Sequence, residues 1–348
     1  MEKILFLAHT QPDGTLPKVA LEAASAASDL AKKISGSDLI VAVIGKNAKA
    51  AVKQFGSLAA EKFLTVSGNE FETSRYSSDV VALEAIARQA AATFVMAPTT
   101  SRFSRVLPGV CQRLEGRIDT HVSGMDVKGE QLTIQRWYYR QRMMATLSRR
   151  TRPWFLVVDS GVFEALQGTA KEVAVEEVKV SLPQDIQRTK VTGYESAASG
   201  GAETIRPDAE ILLVAGAGWT KKQSDGQVHI KEAGELILNF ITKNQASLGS
   251  SKSLVDQSSE GQEVLSFMTH LNQVGQTGST PRHAKGLSTC CHGEEPHVVG
   301  WRFINDRRAI NLDPNCGWAQ GKADVLYVAD AFEVMAKINK LQANKSLV

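Results

Sequence analysis

Along the first 117 residues, short apolar runs alternate with stretches whose apolar positions recur every three or four residues. Residues 4–8, 39–45, 63–66 and 93–98 are runs of strand length. Between the first two, Val19, Leu21, Ala24, Ala27, Leu30, Ala31 and Ile34 mark an amphipathic helix over 17–34, with Thr15 placed to cap it. Further helices are predicted over 47–55, 78–91 and 106–114. Apolar strands separated by amphipathic helices predict an open parallel sheet covered on both faces. From 119 to 160 the rhythm changes to short strands without intervening helices, at 132–139, 143–147 and 155–160, which predicts an antiparallel addition to the same domain.

Residues 181–207 carry Pro183, Ser196, Ser199, Gly200, Gly201 and Pro207 among few apolar positions, the composition of an exposed connector. The expected organisation is an N-terminal α/β domain over 1–190, a linker over 191–207 and a second domain over 208–348. A new strand opens at 209–215 and leads through Gly216-Ala217-Gly218 to a helix over 230–242. Later strands are expected at 297–304, 309–312 and 325–329, with a terminal helix over 331–341. The fold class is therefore α/β, with two open parallel-sheet layer domains, the C-terminal one doubly wound.

A chain of 348 residues exceeds the size at which one hydrophobic core stops growing, which agrees with two domains. The formal charge of +3, from 40 basic and 37 acidic residues, gives no global attraction to nucleic acid. Cys111, Cys290, Cys291 and Cys316 form no CxxC pair, so neither a disulfide framework nor a metal site is expected, and a reducing, cytoplasmic setting fits. The N-terminal apolar run is a first strand in length, not a signal segment, and no run approaches the ~20 apolar residues of a membrane span.

Two segments carry candidate chemistry. A strand running into Gly216-Ala217-Gly218 suits a nucleotide, because a glycine turn exposes backbone N–H groups and a following helix adds its positive end; the third glycine of the dinucleotide fingerprint is missing, and a plain tight turn is the alternative. More specific is Asn272-Gln273-Val274-Gly275-Gln276-Thr277-Gly278, where two glycines free the backbone and Gln and Thr offer neutral donors and acceptors to a pyrophosphate.

This loop closely resembles the signature loop of electron-transfer flavoprotein alpha subunits. The order of its companions is similar too: the strand into a glycine turn, Gly249-Ser250-Ser251-Lys252 with Val255-Asp256, Gly286-Leu287-Ser288, Ile310-Asn311-Leu312-Asp313-Pro314, and Val328-Ala329-Asp330-Ala331-Phe332-Glu333-Val334. The resemblance implies a Rossmann-like C-terminal domain holding FAD. Gly216 and Gly218 would lie at the first turn, and Ser251 and Lys252 would face the isoalloxazine ring. Gln273, Val274, Gly275, Gln276, Thr277 and Gly278 would line the cofactor. Ser288, Thr289 and His292 would lie by the flavin, and Asn311, Asp330 and Ala331 near the adenosine end.

It further implies a heterodimer with an electron-transfer flavoprotein beta subunit, a flavin-dependent dehydrogenase as donor, and a downstream quinone reductase or other acceptor, with no nucleic acid and no direct membrane insertion. The C-terminal domain would swivel, with 181–207 as its hinge. The chain also departs from the family's pattern. Ala217 stands where an arginine would pair with the cofactor, Lys252 keeps the charge of an arginine but loses its planar fork, and Ser279 to Lys285 form a shortened stretch after which His292 falls one position early. These departures leave a second possibility, a degenerate scaffold or regulatory relative binding AMP, FMN or no cofactor.

Arg136, Arg140, Arg142, Arg149, Arg150 and Arg152 interleave with Trp137, Tyr138, Tyr139 and Trp154. Strand alternation would turn the arginines outward and the aromatics inward, as a subunit interface or a docking face for an acidic redox partner.

Overall fold

Five consecutive buried residues, Ile4 to Ala8, place β1 (Lys3–His9) in the interior of a sheet. The computed structural model describes residues 1–129, 131–139, 143–184, 186, 189–193, 204–206, 209–256, 265–274, 283–289 and 304–345. The chain divides into two compact units, Met1–Tyr194 and Glu195–Val348.

The first unit holds β2 (Asp38–Gly45), β3 (Lys62–Ser67), β4 (Phe94–Pro98), β5 (Arg117–Lys128), β6 (Gln131–Tyr138), β7 (Met143–Leu147), β8 (Trp154–Val158) and β9 (Val175–Glu177). With β1 they form a nine-stranded sheet in the order β7-β6-β5-β8-β4-β1-β2-β3-β9. Successive side chains of a strand point to opposite faces. Ile4 and Phe6 therefore pack under α1 (Lys18–Lys33), while Leu5 and Leu7 pack under α3 (Tyr76–Gln89) and α4 (Ser101–Arg113). The short helix α2 (Ala48–Ala51) runs on as a 3-10 turn, Val52–Phe55, whose Phe55 meets Phe6 edge to face at 5.2 Å. Each large apolar side chain buried in these layers contributes roughly 1.5–3 kcal/mol.

Three expectations are corrected here. Thr15 does not cap α1; its N–H and hydroxyl both donate to Asp13 Oδ1, and the helix starts behind Pro17. Residues 119–160 are not uniformly an antiparallel addition. β6 pairs antiparallel with both β5 and β7, whereas β8 is parallel to both β4 and β5 and lies between them. Its five residues, Trp-Phe-Leu-Val-Val, are all buried, as a strand covered on two faces must be.

The arginines also depart from simple alternation. Asp119 is fully buried and accepts from Arg136 at 3.0 Å, from Arg149 and from Trp154 Nε1 at 2.8 Å. Burial pushes its carboxyl up, but the hydrogen bonds from Arg149, Trp154 and Arg136 outweigh that and hold it below the usual range. Arg152 pairs with Glu2 over the Phe94 ring, while Tyr139 points outward. Arg136 and Arg149 are thus paired with the buried Asp119, Arg149 while still partly exposed, and Arg140 and Arg142 lie outside the described residues.

The second unit has a five-stranded sheet, all parallel, made of β10 (Ile211–Ala215), β11 (Ser247–Ser250), β12 (Lys285–Thr289), β13 (Asp306–Asn311) and β14 (Val325–Val328) in the order β11-β10-β12-β13-β14. On one face, Leu213, Leu248 and Ile310 pack against α5 (Ile230–Lys243) and α8 (Ala331–Lys345) through Ile237, Phe240 and Met335. On the other face, Ala309 meets Ala319 of α7 (Gly317–Lys322), and Leu212 and Val214 meet Val274. A further short helix, α6 (Lys252–Asp256), follows β11.

The expected strand at 297–304 falls almost wholly outside the described residues. The strand expected at 309–312 begins earlier, at Asp306, its arginines paired with Asp306 and Asp324. No helix among the described residues is long and apolar enough to cross a membrane.

Candidate functional site

From β10 the chain crosses to β11 on one side, and β12 lies on β10's other side. The carboxyl ends of β10 and β12 therefore flank the point where connections diverge, and such a crevice is where open α/β sheets bind ligands. Backbone hydrogen bonds tie this edge together: Gly216 N–H donates to Thr289 O at 3.1 Å, Ser251 N–H to Ala215 O at 2.9 Å, Val274 N–H to Ser250 O at 3.1 Å and Ala329 N–H to Asn311 O at 3.2 Å.

The first turn differs from its expected form. Gly216 passes into a 3-10 turn, Ala217–Thr220, and α5 begins only at Ile230, so no helix N-terminus follows the glycines directly. Ala217 is fully buried in the apolar core with Trp219. The Trp219 indole N–H donates to Thr289 Oγ1 at 2.8 Å, the Thr289 hydroxyl donates to Val214 O at 3.0 Å, and the indole lies 4.6 Å from the Phe332 ring. Thr289 therefore braces the end of β12 through its side chain. Gly218 O accepts from Gln223.

Next along the edge, Ser251 accepts from Leu254 N–H at 3.3 Å and so starts α6. Lys252 is half exposed, with Nζ 3.6 Å from Asp256 Oδ2, and Asp256 in turn meets His270 Nε2 at 3.0 Å. Gln273 pairs beside Ser250, and Val274 seats directly on Gly249. A Cβ on Gly249 would stand 2.4 Å from Val274 Cγ2, so this close approach of two segments requires glycine.

At the far side Asn311 is fully buried, and its Oδ1 accepts from Asp313 N–H at 2.9 Å. Asp330 Oδ1 accepts from Phe332 N–H at 2.7 Å and Glu333 N–H at 3.3 Å, capping α8, whose first residue Ala331 is buried in the core. Ser288 is buried at the end of β12.

Among the described residues, three polar side-chain atoms at this edge are buried without a partner: Ser250 Oγ, Gln273 Nε2 and Asn311 Nδ2. A buried polar group left unpaired costs roughly 1–3 kcal/mol, so a group of them at one sheet edge calls for a ligand that supplies the missing contacts. These are neutral groups, suited to the hydroxyl, phosphate and ring edges of a nucleotide.

The structure thus gathers Gly216, Gly218, Ser251, Lys252, Gln273, Val274, Ser288, Thr289, Asn311, Asp330 and Ala331 around the carboxyl edge of one sheet. Gly275, Gln276, Thr277, Gly278 and His292 lie outside the described residues, as do Cys290 and Cys291. Sequence reasoning did not assign Ser250, whose unpaired hydroxyl is visible only once β11 is seen to end there, nor Trp219, which braces Thr289 across 70 residues of chain. Among the described residues no three His, Cys, Asp or Glu side chains gather as a metal site.

A family model for the electron transfer flavoprotein domain matches residues 4–183. The electron transfer flavoprotein subunit alpha of Clostridium acetobutylicum is 26% identical over 340 residues, covering 95% of this chain and 92% of that protein. Protein FixB of Clostridium saccharobutylicum is 26% identical over 326 residues, covering 92% and 88%. The electron transfer flavoprotein subunit alpha of Pseudomonas aeruginosa is 25% identical over 321 residues, covering 92% and 96%.

Proposed function

Because the chain belongs to the electron transfer flavoprotein family, as an alpha-subunit member, we propose that it is the flavin-holding half of a heterodimeric electron carrier and that its flavin is FAD. The observation that carries the reading is the set of unpaired buried atoms on Ser250, Gln273 and Asn311 at the carboxyl edge of the second sheet. These groups fit the neutral, hydrogen-bonding parts of a dinucleotide. When bound, the flavin would supply reversible uptake and release of one or two electrons.

The chain's own contribution is binding and positioning. Ser250 and Gln273 would donate and accept at the β11 side, Asn311 Nδ2 would donate at the β13 side, and the loop Gly275 to Gly278, which continues from Val274, would meet the pyrophosphate with backbone N–H groups. Lys252 would place a cation at the mouth, and His292 would stand near the ring. Ser251, Thr289 and Asp330 would act through the backbone they cap or brace. The proposed partners are a beta subunit, a flavin-dependent dehydrogenase as donor, and a quinone reductase or other acceptor, in the cytoplasm. The proposed linker is 191–207, joining domains 1–190 and 208–348.

One observation favours the second reading of a degenerate scaffold: Ala217 is packed in the apolar core, so the first turn offers no cation. Titration of the flavin-free protein, prepared with its beta subunit, against FAD, FMN and AMP separates the two. Saturable binding of FAD near one per heterodimer, tighter than FMN or AMP, is the expected result. Preference for AMP, or no binding, would contradict the proposal.

A further inference from the structure

Asn272, the residue directly before Gln273, is 3% exposed, and its amide is held from three directions. Its Oδ1 accepts from Thr269 N–H at 3.0 Å, within a capping box that closes the 3-10 turn His270–Asn272. Its Nδ2 donates both protons, one to Leu248 O of β11 at 3.1 Å and one to Thr204 Oγ1 at 3.2 Å. Thr204 is itself buried, and it lies in the stretch read from the sequence as connector. Two residues on, Arg206 N–H donates to Ser247 Oγ at 3.0 Å and its guanidinium to Ile241 O at 3.1 Å. Thr204 and Arg206, late in the connector, are therefore bonded into the second unit, and one of their seats is the residue that leads into the glycine loop.

We propose that Thr204 and Asn272 form a strut that fixes the entry of the glycine loop, which makes Asn272 a positioning residue for the flavin and the connector's end a part of the cofactor site. The inference rests on the flavin reading above. An amide with both protons and an acceptor engaged has one orientation, and the backbone of Gln273 and Val274 leaves it directly. Val274 N–H then reaches Ser250 O, and the Val274 side chain reaches Gly249. With Thr204 Oγ1 removed, one buried Nδ2 proton loses its acceptor, and the loop entry gains freedom to turn away from β11.

The test compares Thr204→Val, which removes the hydroxyl at nearly constant shape, with Ser247→Ala, which removes the acceptor of Arg206 N–H, a second connector seat away from Asn272. Amide hydrogen exchange across 272–274 in the flavin-free protein and FAD affinity of the protein prepared with its beta subunit are both read. Thr204→Val is expected to speed exchange at Val274 and weaken FAD, each by about five- to tenfold. Thr204→Ser should restore both, and Ser247→Ala should change neither. Unchanged exchange and affinity in Thr204→Val, or equal effects of Ser247→Ala, would overturn the strut. Wild-type protein that takes up no FAD would overturn the flavin reading and the role given to the strut with it.

Discussion

Ser250→Ala is expected to have opposite effects on stability and on binding. Ser250 Oγ is fully buried and has no partner, so in the flavin-free protein the hydroxyl contributes only the cost of its lost hydration. Taking the low end of the range for such a group, about 1 kcal/mol, its removal should stabilise the flavin-free second unit by that amount. For a unit of about 150 residues this corresponds to a rise in Tm of roughly 2–4 °C. If the hydroxyl meets the flavin, the same change removes one net hydrogen bond of about 1 kcal/mol and weakens FAD roughly fivefold. Melting of the flavin-free variant by differential scanning fluorimetry, and FAD titration followed by flavin fluorescence, measure the two arms. A lower Tm would show that the hydroxyl has a structural partner, and an unchanged affinity would show that it does not face the cofactor; either refutes the reasoning.

Gly249→Ala sets a Cβ against Val274 and should cost the flavin-free protein about 1–3 kcal/mol in urea unfolding, while weakening FAD by displacing Gln273. In the first unit, burial together with the Arg102 charge pushes His9 down to about 4, against a hydrogen bond to Thr10 O that acts the other way. A base whose folded pKa lies below its unfolded value of about 6.5 favours folding above that pH, and the advantage is lost as pH falls toward 4. The loss is about 2 kcal/mol by pH 5, and His9→Gln should flatten that part of a urea-midpoint profile. Asp119→Ala leaves two guanidinium groups and the Trp154 N–H facing a vacated position and should cost about 3 kcal/mol of first-unit stability, read by urea unfolding.

The sequence pattern showed most of the framework because the parallel strands are apolar on both faces: β1, β2 and β4 could be seen as runs without alternation. β8 has the same signature, but its place in the centre of the sheet follows from pairing with β4 and β5, which no local pattern encodes. β12 was missed as a strand because Lys285-Gly286-Leu287-Ser288-Thr289 has a single large apolar residue; its neighbours β10 and β13 supply the context that makes it a strand. β9, three residues with two glutamates, has no strand signature of its own; it forms by pairing with β3, with Val175 packed on the core and Glu176 and Glu177 met by Gln89 and Lys49.

At the site, the glycine loop and the Ser251-Lys252 start of α6 were visible as motifs. The inward arginines were not, because Arg136 and Arg149 turn toward a carboxylate, Asp119, that sits on another strand. The same limit applies to Thr204 and Asn272, 68 residues apart in sequence and hydrogen-bonded in the fold.

The central claim is that this chain holds a redox-active FAD at the carboxyl edge of its second sheet. The most direct measurement is the absorption spectrum of the chain purified with its beta subunit, recorded through anaerobic reduction and reoxidation, with chromatography of the nucleotide released by acid. The account predicts a flavin spectrum that bleaches and returns, FAD as the released species at about one per heterodimer, and loss of that FAD in Asn311→Leu. A colourless heterodimer, or one whose flavin survives Asn311→Leu unchanged, would contradict it.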